Sequence, residues 1–86
     1  MQEVYVHPHA LKHGVSEKQI LSAWDNFISK RHREVPDTDQ IIAVGFDAFG
    51  RFIQMVGIIK NDGIMIYHAM TPPTAGFLAE IGLMRK

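Results

Sequence analysis

The segment IYHAMTPPT, residues 66–74, places a histidine inside an apolar run that ends at a threonine and two prolines. An imidazole changes its charge between about pH 5 and pH 8, so His68 is suited to proton transfer or to contact with an anion. Because side chains alternate across a strand, we expect His68 to share a face with Ile66 and to lie opposite Ala69. The structural alternative is that His68 donates to a backbone carbonyl and stabilises the end of the sheet.

A helix start is predicted directly after this strand. Thr71 is a favourable N-cap residue, and Pro72 suits the first helical position. The first turn of a helix presents backbone N–H groups and the positive end of the helix dipole, which attract phosphate. His68 and Thr71 are therefore predicted to lie beside a phosphate-binding position.

Arg51 is a second candidate for that position. It opens the strand before the Asp-Gly turn signal at residues 62–63. In a plain hairpin the start of one strand lies opposite the end of the next, so Arg51 and His68 are expected to be neighbours. A guanidinium there grips phosphate with two parallel hydrogen bonds. The alternative is a structural ion pair between Arg51 and Asp47 or Asp62.

Three histidines lie near the N-terminus, at His7, His9 and His13. On a helix, His9 and His13 would face the same way, and this spacing suits zinc if a further ligand comes from elsewhere. His13 is also a catalytic candidate, ranked after His68 and Arg51. Lys12, between the last two histidines, is either solvated or in contact with phosphate.

The charges are balanced along the chain as a whole. Lysine plus arginine and aspartate plus glutamate each number nine, so the net charge is zero with neutral histidines. That balance argues against a strong nucleic-acid binder, whose surface is usually basic. Basic charge is nevertheless concentrated in the segment SKRHRE, where Arg31 and Arg33 are candidate RNA- or phosphate-binding residues. A chain without net charge lacks mutual repulsion, which favours a homodimer.

The length of 86 residues predicts a single domain spanning residues 1–86. The chain has no cysteine, which excludes disulfides and thiolate metal sites and suits a reducing compartment. No segment has the character of a signal peptide or the ~18 apolar residues that a membrane span needs. We therefore expect a cytoplasmic protein that has no membrane partner and no cofactor.

The first half of the chain predicts mainly helices. Residues 3–6 indicate a short strand, and residues 7–14 indicate one or two helical turns that end at a glycine. The clearest helix covers residues 15–28, where Ser16 and Gln19 form a capping box. Its apolar stripe comprises Ile20, Trp24, Phe27 and Ile28.

The second half predicts a sheet and a last helix. Strands are predicted at residues 29–35, 40–46, 51–59 and 64–70, the first of them a charged edge strand. Short turns make this sheet antiparallel, and apolar faces on both sides of its central strands call for helices on one side and a partner or second copy on the other. After Pro72, an apolar stripe and a Schellman ending at Gly82 indicate a helix. The predicted fold is of the α+β class, with two N-terminal helices, an antiparallel sheet of about three to four strands and one C-terminal helix.

The order of three motifs resembles a known family. The segments LKHGVSEKQI, VGFDAFGRFIQMV and IYHAMTPPT, with a terminal helix, resemble the BrnT-like toxins of bacterial toxin–antitoxin systems over residues 9–80. The resemblance implies a RelE-like fold, RNA cleavage that arrests translation, and neutralisation by a protein antitoxin. Its "KH" falls on Lys12 and His13, its "GR" on Arg51, and its "HAM" on His68 with Met70.

Two hypotheses follow for the function. The first is a metal-independent ribonuclease toxin in which Arg51 contacts phosphate and His68 is the acid or base. Its substrate would be free or ribosome-associated RNA. The second is a toxin-like binding module without catalysis that acts through a protein partner or as a homodimer. Thr71, Pro72 and Pro73 replace the basic residue that follows the family's last motif, which favours the second hypothesis.

Overall fold

The computed structural model describes residues 3–33 and 39–84 of the chain. Its strands are β1 (Glu3–Val6), β2 (Phe27–His32), β3 (Gln40–Phe46), β4 (Phe52–Lys60) and β5 (Gly63–Met70). Its helices are a 3₁₀ helix (Pro8–His13), α1 (Glu17–Asp25) and α2 (Ala75–Glu80). The strands form one five-stranded sheet in the order β1-β5-β4-β3-β2.

The predicted architecture of two N-terminal helices, a three- to four-stranded antiparallel sheet and one C-terminal helix is wrong. The sheet has five strands and is mixed, because β1 pairs with β5 in parallel while the other neighbours are antiparallel. Strand β1 precedes both helical segments of the N-terminal half, and the first of these is a 3₁₀ helix rather than an α-helix. A parallel partner more than fifty positions away leaves no local sequence signal, whereas the hairpins β3–β4 and β4–β5 follow from their short turns.

Helix α1 begins as predicted and ends earlier. Ser16 and Gln19 form both hydrogen bonds of the capping box, at 3.2 and 2.8 Å. The helix ends at Asp25, and the chain turns at Asn26 into β2, so the predicted extension to residue 28 is wrong. Phe27 belongs to this edge strand and is 48% exposed, outside the apolar stripe.

The two faces of the sheet carry separate apolar cores. One core joins α1 and the 3₁₀ helix to the sheet; its buried members are Ala10, Val15, Ile20, Ala23, Trp24, Ile41, Ala43, Ile53, Met55, Ile64, Ile66 and Ala69. The other core joins α2 to the sheet; its buried members are Ile42, Val44, Val56, Phe77 and Ile81. The second face was predicted to be covered by a partner, and in the structure α2 packs on it.

Helix α2 starts later than predicted and ends as predicted. Its N-cap is Thr74, whose hydroxyl accepts from the backbone N–H of Phe77 at 3.1 Å. The prediction of Thr71 as the cap is therefore wrong, because two prolines separate Thr71 from the helix. Gly82 has φ +88°, and Leu83 N–H donates to the carbonyl of Leu78 at 2.8 Å, which is the predicted Schellman ending.

The charged edge strand expected at residues 29–35 corresponds to β2, which begins two residues earlier and ends at His32; residues 34 and 35 lie outside the described part of the chain. No helix in the described ranges is long and apolar enough to span a membrane.

Candidate functional site

A β-bulge in β5 decides which way His68 faces. Val56 pairs with His68, but the next residue, Gly57, pairs with Ile66, so Tyr67 is the extra residue of the bulge. The alternation therefore shifts by one position, and Ala69 rather than His68 joins Ile66 in the core under α1. His68 shares the α2 face with its partner Val56. The predicted alternation along this strand is wrong, because a bulge adds a residue that a period of two does not contain.

His68 lies against the 3₁₀ helix. The rings of His13 and His68 meet edge to face with centroids 5.7 Å apart. The backbone turns from β1 into the 3₁₀ helix at His7, whose Nδ1 accepts from the backbone N–H of His9 at 3.0 Å. A 3₁₀ helix has three residues per turn, so His9 and His13 are separated by about 120° around its axis and do not share a face. We call the contacting pair His13 and His68, together with His9 and Lys12, whose charges act on His68, the histidine cluster.

Burial and neighbouring positive charge both disfavour the charged form of His68. Burial lowers the pKa of His68, and positive charge on His13, Lys12, His9 and, further along the α2 face, Arg33 lowers it in the same direction. His68 is half-buried, whereas the three members on the 3₁₀ helix are exposed. The cluster thus concentrates cationic and proton-transferring groups on a chain whose total charge is zero, an arrangement that suits an anion.

Gln54 completes the site and was missed by sequence reasoning. Gln54 lies on β4 and is a buried polar residue, 5% exposed. Gln54 Oε1 accepts from the backbone N–H of Thr74 at 2.8 Å, and Gln54 Nε2 lies 2.9 Å from His68 Nε2. The available signal was a lone amide in the apolar run FIQMVGII, since a buried polar group needs a hydrogen-bond partner.

Arg51 does not join the cluster. It lies five positions along the chain from Val56, the partner of His68, which corresponds to about 16 Å along an extended strand. Its Nε lies 3.5 Å from Oδ2 of Asp47. The Asp47 side chain is fully buried and its Oδ1 accepts from the backbone N–H groups of Phe49 and Arg51, both at 2.9 Å. Arg51 and His68 are therefore not the neighbours that were expected. Arg51 instead forms the alternative ion pair with Asp47.

The remaining candidates occupy other positions. The Arg33 guanidinium forms a two-pronged ion pair with Glu80 of α2, at 2.6 and 2.9 Å, and also donates to Gln40. Arg31 lies near the C-terminal end of α2, where its Nη1 is 3.5 Å from the position of a Cβ on Gly82. The Thr71 hydroxyl donates to the carbonyl of Phe52.

Metal binding by the N-terminal histidines finds no support in the geometry. Within residues 3–33 and 39–84, no group of three or more histidine, aspartate or glutamate side chains is arranged to hold a metal ion. Because the 3₁₀ helix points His9 and His13 in different directions, the helical spacing that suggested zinc does not apply.

The chain was compared with known protein families, with characterised proteins and with solved structures, and no match was found.

Proposed function

We propose that the chain is a metal-independent ribonuclease that acts as the toxin of a toxin–antitoxin pair, with the histidine cluster as its active site. The observation that carries the proposal is the contact between the His13 and His68 rings. Its sequence support is the resemblance to BrnT-like toxins, whose "KH" and "HAM" motifs fall on these residues.

The chemistry requires few groups. Cleavage of RNA by its own 2′-hydroxyl needs a base for that hydroxyl, donors for the phosphate oxygens and a cation for the charge of the transition state. His13 and His68 lie close enough to contact one phosphodiester, and Lys12, whose positive charge acts on His68, supplies the cation. Lys12 therefore replaces Arg51 in this mechanism, because Arg51 belongs to the turn built around Asp47.

The test is RNA cleavage by the purified protein in the presence of a chelator. We expect the wild-type chain to cleave single-stranded RNA and His13→Ala to lower the rate by about 100-fold or more, the usual contribution of one acid–base group. His32→Ala is the matched control, because His32 is an exposed histidine on β2, three strand spacings from β5 or about 14 Å. Equal rates for the wild type and His13→Ala would refute the proposal.

A cellular experiment tests the toxin role. Expression of the wild-type chain in a bacterial host is expected to arrest growth, and His13→Ala is expected to relieve the arrest while His32→Ala does not. Wild-type expression without any effect on growth or translation would contradict this role.

The second candidate is a binding module that acts through a protein partner or a second copy. The observation that favours it is a group of exposed apolar side chains near one end of the sheet. Phe49 in the β3–β4 turn is 81% exposed and Ile28 on β2 is 55% exposed. Phe49 also lines an open cleft of about 400 Å³ together with Ser22 and Gln19 of α1.

Light scattering distinguishes this candidate. A homodimer predicts twice the chain mass in solution and its loss in Phe49→Ser, with Leu83→Ser, an exposed apolar residue after α2, as the control. A monomeric wild type that cleaves RNA would rule the binding module out in favour of the ribonuclease.

A further inference from the structure

We infer that Gln54 is a positioning residue that holds His68 in one tautomer, with its proton on Nδ1. In that form His68 is a neutral hydrogen-bond donor to a phosphate oxygen, and His13 is the base of the pair. The assignment of roles in catalysis rests on the proposed ribonuclease function, while the tautomer itself does not.

The orientation of the Gln54 amide follows from its contact with α2. The backbone N–H of Thr74 is a donor, so the group that meets it at 2.8 Å is the Gln54 carbonyl oxygen. The amide NH₂ of Gln54 is consequently the group that faces His68 Nε2 at 2.9 Å. In the reversed amide, the Gln54 NH₂ would face the backbone N–H of Thr74, so two donors would meet. Because Gln54 is only 5% exposed, both donors would be left without an acceptor.

The tautomer of His68 follows from the amide. Because the Gln54 NH₂ has only protons to give, His68 Nε2 accepts, and an accepting ring nitrogen carries no hydrogen. The proton of the neutral ring is then on Nδ1. Protonating Nε2 as well would turn the hydrogen bond into a contact between two donors.

The charged surroundings act in the same direction. From the 3₁₀ helix, His9, Lys12 and His13 oppose a positive charge on His68, and Arg33 opposes it from the end of β2. From α2, the carboxylate of Glu80 is held in its ion pair with Arg33. Burial is the larger cause of the lowered pKa of His68, and these charges add to it, so the neutral ring is favoured.

A neutral ring with its proton on Nδ1 has no lone pair available to take a proton, because the Nε2 pair is held by Gln54. In the cleavage step His13 takes the proton of the 2′-hydroxyl, the 2′-oxygen bonds to phosphorus, and the bond from phosphorus to the 5′-oxygen breaks. The leaving oxygen takes a proton from water, and the hydroxide formed is neutralised by the proton that His13 releases. His68 donates from Nδ1 to a non-bridging oxygen throughout, as a preorganised donor.

The test is a histidine ¹⁵N NMR titration of the whole chain, with no RNA present. Long-range ¹H–¹⁵N correlations are expected to show wild-type His68 with a protonated Nδ1 and a bare Nε2 at neutral pH. In Gln54→Glu, one carboxylate oxygen still accepts from Thr74, which preserves the start of α2, and the other accepts from His68. The proton is then expected to move to Nε2, and the His68 titration midpoint to rise by about one pH unit or more.

Gln19→Glu is the matched control, because it makes the same chemical change at the exposed capping box of α1 and keeps that hydrogen bond. It is expected to leave the tautomer and the midpoint of His68 unchanged within about 0.3 pH units, as exposed charges are screened. A wild-type His68 with its proton on Nε2, or a Gln54→Glu variant with the wild-type midpoint, would overturn the inference.

The two proposals fail separately. A wild-type chain that shows the Nδ1–H tautomer but cleaves no RNA would refute the proposed ribonuclease function. It would still support the role of Gln54 in fixing the tautomer of His68. A chain that cleaves RNA with the proton of His68 on Nε2 supports the ribonuclease and overturns the inference about Gln54.

Discussion

Gly45→Ala tests the packing that fixes α1 to the sheet. Gly45 lies in β3 directly beneath the C-terminal half of the helix. A Cβ at this position would lie 2.9 Å from the carbonyl oxygen of Asn26, 3.0 Å from the carbonyl carbon of Ala23 and closer still to the Ala23 oxygen. Optimal contacts of a carbon atom are about 3.5–4.0 Å, and all three obstructing atoms are backbone, so no side chain can rotate away.

The helix must therefore move away from the sheet by an amount on the order of 1 Å. Ala23 and Trp24, now 0% and 3% exposed, would lose part of their contacts. Overpacking a core costs about 1–3 kcal/mol, and a clash with backbone belongs at the upper end of that range. For a domain of this size, about 3 kcal/mol lowers the melting temperature by about 12–24 °C.

The assay is thermal and urea unfolding followed by circular dichroism. Gly76→Ala is the control: it is the same substitution, on α2, where an added Cβ has no neighbour within 4 Å. Alanine is the better helix former, so this variant is expected to be unchanged or more stable by up to about 1 kcal/mol. If Gly45→Ala unfolds within about 1 kcal/mol of the wild type, α1 does not sit this close to β3 and the reasoning fails.

Three further predictions concern the site and its supports. Because the pKa of His68 is lowered in the folded chain, the unfolded chain binds the extra proton between that pKa and about 6.5. The free energy of unfolding, measured in urea, should therefore fall with acidification through this window, and His68 should not change it at higher pH. His68→Gln should reduce the slope of the unfolding free energy against pH by less than the one-proton limit of about 1.4 kcal/mol per pH unit, since the ring is half-exposed. An unchanged slope would contradict the lowered pKa of His68. Thr74→Ala should cost about 1 kcal/mol through loss of the α2 cap, measured by urea unfolding, whereas Thr74→Ser should cost a few tenths at most. Asp47→Ala should cost about 2–3 kcal/mol, because the N–H groups of Phe49 and Arg51 lose their acceptor, and a thermal melt like that of the wild type would show that the turn does not depend on it.

Local patterns predicted much of the secondary structure. The strands expected at residues 40–46, 51–59 and 64–70 agree with β3, β4 and β5 to within one residue at each end. The capping box at Ser16 and the Schellman ending at Gly82 are also confirmed. Each of these features depends on residues within about five positions of one another, which is why a single sequence reveals it.

The site was predicted only in part. His13 and His68 were both named as candidates, but the partner expected beside His68 was Arg51. That neighbour was inferred from an assumed plain hairpin. In the observed strand pairing, Arg51 lies five positions along the chain from Val56, the partner of His68. Gln54 was not named, because its role depends on Thr74, twenty residues away on a helix whose start was misplaced.

The sequence by itself determined the strands β3, β4 and β5, the cap of α1 and the ending of α2, and it named His13 and His68 as candidates. Only the tertiary structure decided that β1 joins β5 in parallel, that a bulge at Tyr67 turns His68 toward α2, and that a 3₁₀ helix sets His13 against it. The physical reason is that hydrogen bonding and hydrophobic periodicity act between near neighbours, whereas strand pairing and side-chain facing are set by contacts between segments far apart in the chain.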